Sequence, residues 1–234
     1  MGPADDPDVD GENRFSAMAR VARPIIRIEA PAGRRTVIVV GNGRGGTSMV
    51  AGVLVALGLP MGAPGNALNY EDAEIVAAGR GTPPDAGSDA PSGDGLDPLR
   101  ALIRERNARH DVWGWKDPSA DLYLDRIKDV LVAPRAIFVH RDLASVAESM
   151  FVRSPDISIE QALLLALERT TRYWELLSRN GWPTLLLSYE RARIAPDRLV
   201  AELTAFCGLA PTEGEVGRAV RFVSGTGGYR LLGR

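Results

Sequence analysis

The residues of this chain with the clearest capacity for chemistry are Arg44, Arg141, Lys116 and Glu71, each set in a short run of unusual composition. Arg44 lies inside the octet Gly41, Asn42, Gly43, Arg44, Gly45, Gly46, Thr47, Ser48, between a β-branched run at 36–40 and an apolar, helix-like segment that ends at Gly58. A strand that feeds a glycine turn and then a helix start leaves unpaired N–H groups and the positive end of the helix dipole aimed at one spot, which favours a phosphate-like anion. Against the nucleoside-triphosphate pattern G-x-x-x-x-G-K-[ST], the glycines and the closing hydroxyl are in register, but Thr47 stands where a lysine would reach the β- and γ-phosphates. The positive charge sits three residues upstream, at Arg44. Such a loop can hold a diphosphate-like group but lacks a central device for holding a γ-phosphate. Read without its flanks, the same glycine run would be only a turn joining a buried strand to a buried helix.

Arg141 and Ser149 stand eight residues apart. The segment around them, PRAIFVHRDLASVAESM, reads as a buried strand over 136–140 running into a helix N-capped by Asp142, with Leu143, Val146, Ala147 and Met150 on one side. An arginine at such a strand end makes either a surface ion pair or, with a hydroxyl two turns along the helix, a charged planar fork and a donor for one phosphate. Lys116, in WGWKDPS, projects from a strand end and either pairs with Asp117 or faces an anion. Glu71, in NYEDAE, is either a carboxylate placed for general-base work or a solvated helix-start residue.

In this order the motifs resemble those of sulfotransferases that use 3′-phosphoadenosine 5′-phosphosulfate (PAPS). The glycine run is similar to that family's 5′-phosphosulfate loop, in which a basic residue precedes a Ser-Gly-Thr-[ST] or Gly-Gly-Thr-Ser turn. Arg141 and Ser149 match its Arg-x7-Ser site for the 3′-phosphate, and Lys116, Asp117 and Pro118 match the Lys-Asp-Pro segment of many bacterial members. Residues 182–209, with Ser188, Tyr189 and Glu190 ahead of a helix closing in AFCGL, are similar to the pattern YED…P…FLGL, whose tyrosine lies near the adenine. The resemblance implies a P-loop-type α/β fold, PAPS as sulfuryl donor with adenosine 3′,5′-bisphosphate as product, no metal, and a hydroxyl or amine of a small molecule, glycan or glycolipid as acceptor. It implies that Arg44 stabilises the leaving group, while the N–H groups of Gly45 and Gly46 and the hydroxyls of Thr47 and Ser48 hold the 5′-phosphate. Lys116 would touch the sulfuryl group or the acceptor. Glu71 would be the base, because other branches use a glutamate beyond the loop helix and Pro118 occupies the histidine position of the cytosolic animal enzymes. His110 and His140 read as bystanders. Arg230, in GTGGYR, is loosely similar to the family's basic glycine loop on the 3′-phosphate. The chain departs from the pattern at Gly45 (commonly serine), Met49 (often aromatic) and Leu143 (usually proline).

Two other classes share part of the pattern. A P-loop kinase or NTPase would need a lysine in the loop and a Mg²⁺-binding aspartate at the end of an apolar strand, and the sequence shows neither. A non-catalytic nucleotide-binding relative would keep Arg141 and Ser149 and could dispense with Lys116 and Glu71.

Composition narrows the field further. With 234 residues, 45% hydrophobic and 25% charged, the chain has the make-up of one soluble domain with a substantial core. A net charge of −2 argues against a general nucleic-acid binder and requires any positive potential to be local. The lone cysteine, Cys207, excludes an internal disulfide and a multi-cysteine metal site and reads as a small core residue. The longest apolar run, 49–61, is too short to span a bilayer, and the acidic N-terminus MGPADDPDVDGEN lacks the apolar core of a signal peptide, so a cytoplasmic protein is expected. Abundant alanine and arginine suit a GC-rich bacterial source. No signature of oligomeric state stands out.

These residues need a frame to hold them. Residues 1–22 read as a mobile tail and 23–234 as one domain, interrupted at about 79–98 by a soft Gly/Pro/Ser/Asp stretch that is either disordered or the rim of an acceptor entrance. Helices are expected over 97–109, 120–131, 158–179 and 197–207, with core faces at Leu163, Leu167, Trp174 and Leu177 and at Leu199, Leu203 and Phe206. Apolar strands alternating with such helices predict a parallel sheet with helices on both faces.

Overall fold

Every residue of β1 (Arg35–Gly41) is buried, and this strand lies inside a four-stranded parallel sheet of order β2-β1-β3-β4. The computed structural model describes residues 33–62, 69–80, 94–154 and 156–225. The other strands are β2 (Val112–Lys116), β3 (Arg135–His140) and β4 (Thr184–Ser188). Val39 lies opposite Lys116, Gly41 opposite Val139 and His140 opposite Ser188. With all strands parallel, their carboxyl ends share one edge, so the glycine loop, Lys116, Arg141 and Tyr189 are delivered side by side to the place where open α/β sheets bind ligands.

The helices run in chain order as α1 (Thr47–Ala56), α2 (Ala73–Gly79), α3 (Asp97–Arg109), α4 (Leu143–Arg153), α5 (Ile159–Asn180), α6 (Tyr189–Ile194), α7 (Pro196–Cys207) and α8 (Glu213–Ser224). Strand side chains alternate between two cores. Val37, Val39, Ile137, Val139 and Leu187 pack with α1, α7 and α8, while Ile38, Val40, Ala136 and Phe138 pack with residues of α2, α3 and the second half of α5. The sheet therefore has helices on both faces, as its apolar strands require. Among the described residues no helix is long and apolar enough to cross a membrane.

Local signals place most helix starts. Asp142 caps α4 by accepting from the Ser145 N–H at 2.8 Å, and Ser158 and Gln161 close a capping box on α5. Two expectations fail. Residues 120–131 form three successive 3₁₀ turns, Ala120–Leu122, Leu124–Arg126 and Lys128–Val130, in place of one α-helix. Ala120, Tyr123, Leu124, Ile127 and Val130 are the buried positions, and a spacing of three suits a 3₁₀ path as well as it suits an α-helix. On α5 the inward positions are Ala162, Ala166, Tyr173, Leu176 and Leu177, leaving Leu163, Leu167 and Trp174 exposed. Small residues take the inward positions in the first half of α5, and the neighbouring leucines are turned aside.

The soft stretch also begins and ends in structure. Gly79 closes α2, and Asp94 bridges to Arg100 at 2.7 Å just before α3 begins. Residues 81–93, like the expected tail over 1–22, lie outside the described residues.

At the amino edge of the sheet, Arg135 donates to the Phe206 carbonyl and Arg35 to the Gly208 carbonyl at 3.4 Å, placing positive charge at the negative end of α7. Cys207 is fully buried beside them, and burial pushes its thiol up to about 12. A thiol whose folded pKa lies above its unfolded value contributes stability that is complete below about pH 9 and disappears as pH rises toward 12. We predict that wild-type stability to urea falls across that interval by on the order of 4 kcal/mol more than that of Cys207→Ala, at about 1.4 kcal/mol per pH unit. Parallel pH curves for the two proteins would refute it.

Candidate functional site

The start of α1 is built to leave amides unpaired. Gly46 is its N-cap at φ 91°, no side chain caps the helix, and no carboxylate lies in its first turn. The N–H groups of Gly46, Thr47 and Ser48 find no backbone acceptor among the described residues. The Gly45 N–H, expected on the anion, instead donates to the Asn42 carbonyl at 2.9 Å and closes the loop on itself. Asn42 in turn anchors the loop to α5, its side-chain amide donating to the Thr170 hydroxyl at 2.8 Å. Ser48 donates its hydroxyl to the Asn69 carbonyl at 3.0 Å. Gly46 is required for more than its φ: a Cβ there would lie 2.2 Å from the Tyr189 ring.

The cationic side of the site is assembled around Arg44, which itself adopts a left-handed φ of 69°, uncommon outside glycine. Its Nε donates to Ser149 Oγ at 2.9 Å, and its carbonyl accepts from Arg141 Nη1 at 2.9 Å. The Arg141 guanidinium carbon stands 5.0 Å from the centre of the Tyr189 ring, within cation–π range. Arg44, Arg141, Ser149 and Tyr189, read separately from sequence, thus form one cluster beside the loop. Glu190 ties two supporting turns together, accepting from the Asp142 N–H at 3.0 Å and from the Ser188 hydroxyl at 3.1 Å.

Lys116 lies at the next strand end and is 2% exposed. Its partner is Glu71 rather than Asp117: Nζ donates to Glu71 Oε1 at 2.6 Å and to the Asn69 carbonyl at 3.2 Å. An ammonium has three protons, so one donor remains for a third acceptor. Burial lowers the pKa of Lys116, and the Glu71 carboxylate opposes that shift. Asp72, next to Glu71 in the sequence, is the fully buried N-cap of α2 and pairs with Arg106.

β2 ends in Lys116, and the residue after it, Asp117, is buried. Both oxygens of Asp117 are occupied, by the Ser119 N–H at 2.8 Å and the Tyr123 hydroxyl at 3.0 Å. Among the described residues no three His, Cys, Asp or Glu side chains group in a way that could hold a metal. His140 is exposed at the end of β3, and His110 lines a separate cavity of about 410 Å³ with Arg106 and Trp113. Arg230 lies outside the described residues. The Asn69 carbonyl escaped the sequence reading because a backbone acceptor shared by Ser48 and Lys116 leaves no residue-type signal. Asn42 could have been noticed as the polar residue between two loop glycines.

No family model matches the chain, and no curated protein does. Solved structures do. A sulfotransferase domain from the Synechococcus olefin synthase matches with a TM-score of 0.54 at 17% identity, over 80% of this chain and 78% of that one. A sulfotransferase domain from the curacin biosynthetic pathway gives 0.53 at 17%, over 80% and 77%. A sulfotransferase from Mycobacterium tuberculosis gives 0.52 at 18%, over 81% and 71%. This is the sulfotransferase fold. At such identities the likeness concerns the path of the chain, and the chemistry rests on the residues described above.

The packing of Tyr189 against the loop yields a prediction. Gly46→Ala should lose on the order of 1–3 kcal/mol of stability, through a side chain at positive φ and overpacking against the ring. Urea unfolding measures it, and wild-type stability would mean that the ring yields freely.

Proposed function

We propose that this protein is a PAPS-dependent sulfotransferase that moves a sulfuryl group to a hydroxyl or amine of a small-molecule, glycan or glycolipid acceptor without a metal. The observation that carries this reading is the cluster of Arg44, Arg141, Ser149 and Tyr189 around a glycine loop whose lysine position is Thr47. A nucleotide with two separated phosphate sites and no γ-phosphate suits that set. The free N–H groups at the start of α1 suit the 5′-phosphate, Arg141 and Ser149 the 3′-phosphate, and the Tyr189 ring the adenine.

When bound, PAPS would supply the sulfuryl group and leave as adenosine 3′,5′-bisphosphate. The protein's share is then positioning and charge stabilisation. Arg44, on the loop, faces the negative charge that develops on the leaving group. Lys116 has one N–H left for a sulfuryl or acceptor oxygen, and its contacts with Glu71 and the Asn69 carbonyl fix where that N–H points. Glu71, the more exposed member of the pair, accepts the acceptor's proton. The kinase alternative gains nothing from Asp117, whose carboxylate is already engaged.

Two measurements test the reading. Calorimetry should show tighter binding of adenosine 3′,5′-bisphosphate than of ADP, and Arg141→Ala should largely erase the difference, since charge-assisted bonds to a phosphate are worth about 1.5–3 kcal/mol each. Equal binding of both nucleotides by the wild type would remove the 3′-phosphate site and the proposal with it. In transfer from labelled PAPS to a panel of phenols and alcohols, Glu71→Gln should depress turnover by about 10²–10⁴ while bisphosphate affinity is unchanged. Near-normal turnover would take the base role away from Glu71.

A further inference from the structure

The turn that carries Glu71 is strained and is held from three sides. Tyr70 has a φ of 56°, a left-handed value that is an outlier for a bulky aromatic residue. Such strain persists only where the surroundings over-determine the backbone. On one side the Tyr70 ring packs edge-on against Phe222, with 6.0 Å between centroids. On a second, the Glu71 N–H donates to Asn69 Oδ1 at 3.1 Å, while the Asn69 carbonyl takes the bonds from Ser48 and Lys116. The third hold is the fully buried Asp72, which neither the transfer step nor nucleotide binding uses.

Asp72 is gripped by α3. Arg106 donates from Nη1 to Asp72 Oδ2, and from Nη2 to Asp72 Oδ1 at 3.4 Å and to Glu74. Oδ1 also accepts from the N–H groups of Glu74 at 3.1 Å and Ile75 at 3.4 Å, so the carboxylate that caps α2 also ties it to α3. The Arg106 side chain is 12% exposed, and its guanidinium carbon stands 5.7 Å from the centre of the Trp113 ring. Trp113 is itself fixed, its indole N–H donating to Asn107 Oδ1 at 2.8 Å. Gly62 leaves room for the pair, because a Cβ there would collide with the Asp72 carboxylate and lie 2.6 Å from Arg106 Nη1. The Glu71 backbone is thus one residue from a buried clamp, whereas its partly exposed side chain can turn between Lys116 and an acceptor.

We propose that Arg106 is a positioning residue for the pair of Glu71 and Lys116: its two-pronged grip on Asp72 holds the strained turn where the Glu71 carboxylate meets the ammonium. The inference rests on the sulfotransferase reading for its purpose. A base must lie within hydrogen-bond reach of the proton it takes, so a shift of the turn by about 1 Å lowers turnover and leaves the nucleotide loop untouched. A lysine at position 106 would keep the charge and lose the fork that spans both Asp72 oxygens and Glu74.

The test is a double-substitution cycle of Arg106→Lys with Glu71→Gln. In transfer from labelled PAPS, Arg106→Lys should lower kcat about tenfold with bisphosphate affinity unchanged, and by less than about twofold once Glu71 is replaced by glutamine. Additive losses would make Arg106 a general support of the fold and overturn the proposal. A second readout needs no transfer. The chain contains two lysines, Lys116 and the exposed Lys128, so NMR of protein labelled with ¹⁵N-lysine follows the Lys116 titration against Lys128 as internal reference. Glu71→Gln should lower the Lys116 midpoint by about one pH unit in the wild type, and by less than about half as much in the Arg106→Lys background. Equal shifts in the two backgrounds, or none in the wild type, overturn the proposal whatever nucleotide binds. Asp72→Asn, which keeps a capping oxygen and removes the charge that Arg106 grips, should repeat both effects and serves if Arg106→Lys fails to fold. A wild type that transfers nothing from PAPS but whose lysine coupling is lost with Arg106→Lys would overturn the sulfotransferase reading and leave the clamp in place.

Discussion

The constraint on which the site depends is the unpaired start of α1. A helix must leave its first amides without intrahelical partners, and most sequences repair this with a serine, threonine, aspartate or asparagine at the N-cap. Here the N-cap is Gly46, and the amides stay open beneath Arg44. Gly46 has no side chain, so the Tyr189 ring can lie against the loop; the loop's tight closure throws Arg44 into a left-handed conformation, which presents its carbonyl to Arg141. One omitted cap thus organises residues from β1, β3 and β4.

A protein of slightly negative net charge has to make positive potential locally, and this one does so with neighbours rather than with numbers. Arg44 and Arg141 are joined through a carbonyl, and Lys116 is buried against Glu71 and a second carbonyl. The Asn69 carbonyl takes bonds from both Ser48 and Lys116, so the first turn of α1 and the end of β2 share one acceptor. Displacing that turn would disturb both cationic regions together. Low dielectric strengthens the buried contacts of Lys116 and makes their partial loss costly, which suits a site where orientation matters more than binding strength.

The loop and the arginine–serine pair are legible in the sequence because their signals are local: glycines in register, a β-branched strand before them, Asp142 at a cap position. The parallel sheet follows from the same alternation of apolar strand and helix. The 3₁₀ path over 120–131 is hidden, since the buried positions Ala120, Tyr123, Leu124, Ile127 and Val130 follow one another at the three- and four-residue spacings that an α-helix also buries. The pairing of Lys116 with Glu71 instead of Asp117 is hidden for another reason. Its outcome depends on Tyr123 and Ser119 having already claimed the aspartate, a competition that sequence adjacency argues against.

The outward leucines of α5 raise the question of what stops that helix from rolling. A turn of about 100° moves each side chain to its neighbour's place. Such a roll would trade the inward Ala162 and Ala166 for Leu163 and Leu167, so apolar area alone would favour the rolled arrangement over the observed one. Tyr173 forbids it. Its hydroxyl donates to the Asp117 carbonyl and accepts from the Asp121 N–H, both at 3.3 Å, and rolling would strand a phenol and two backbone groups in the interior. The rotational setting of the longest helix is therefore chosen by a polar key against the pull of its own oily side, and the surface leucines are the residue of that choice.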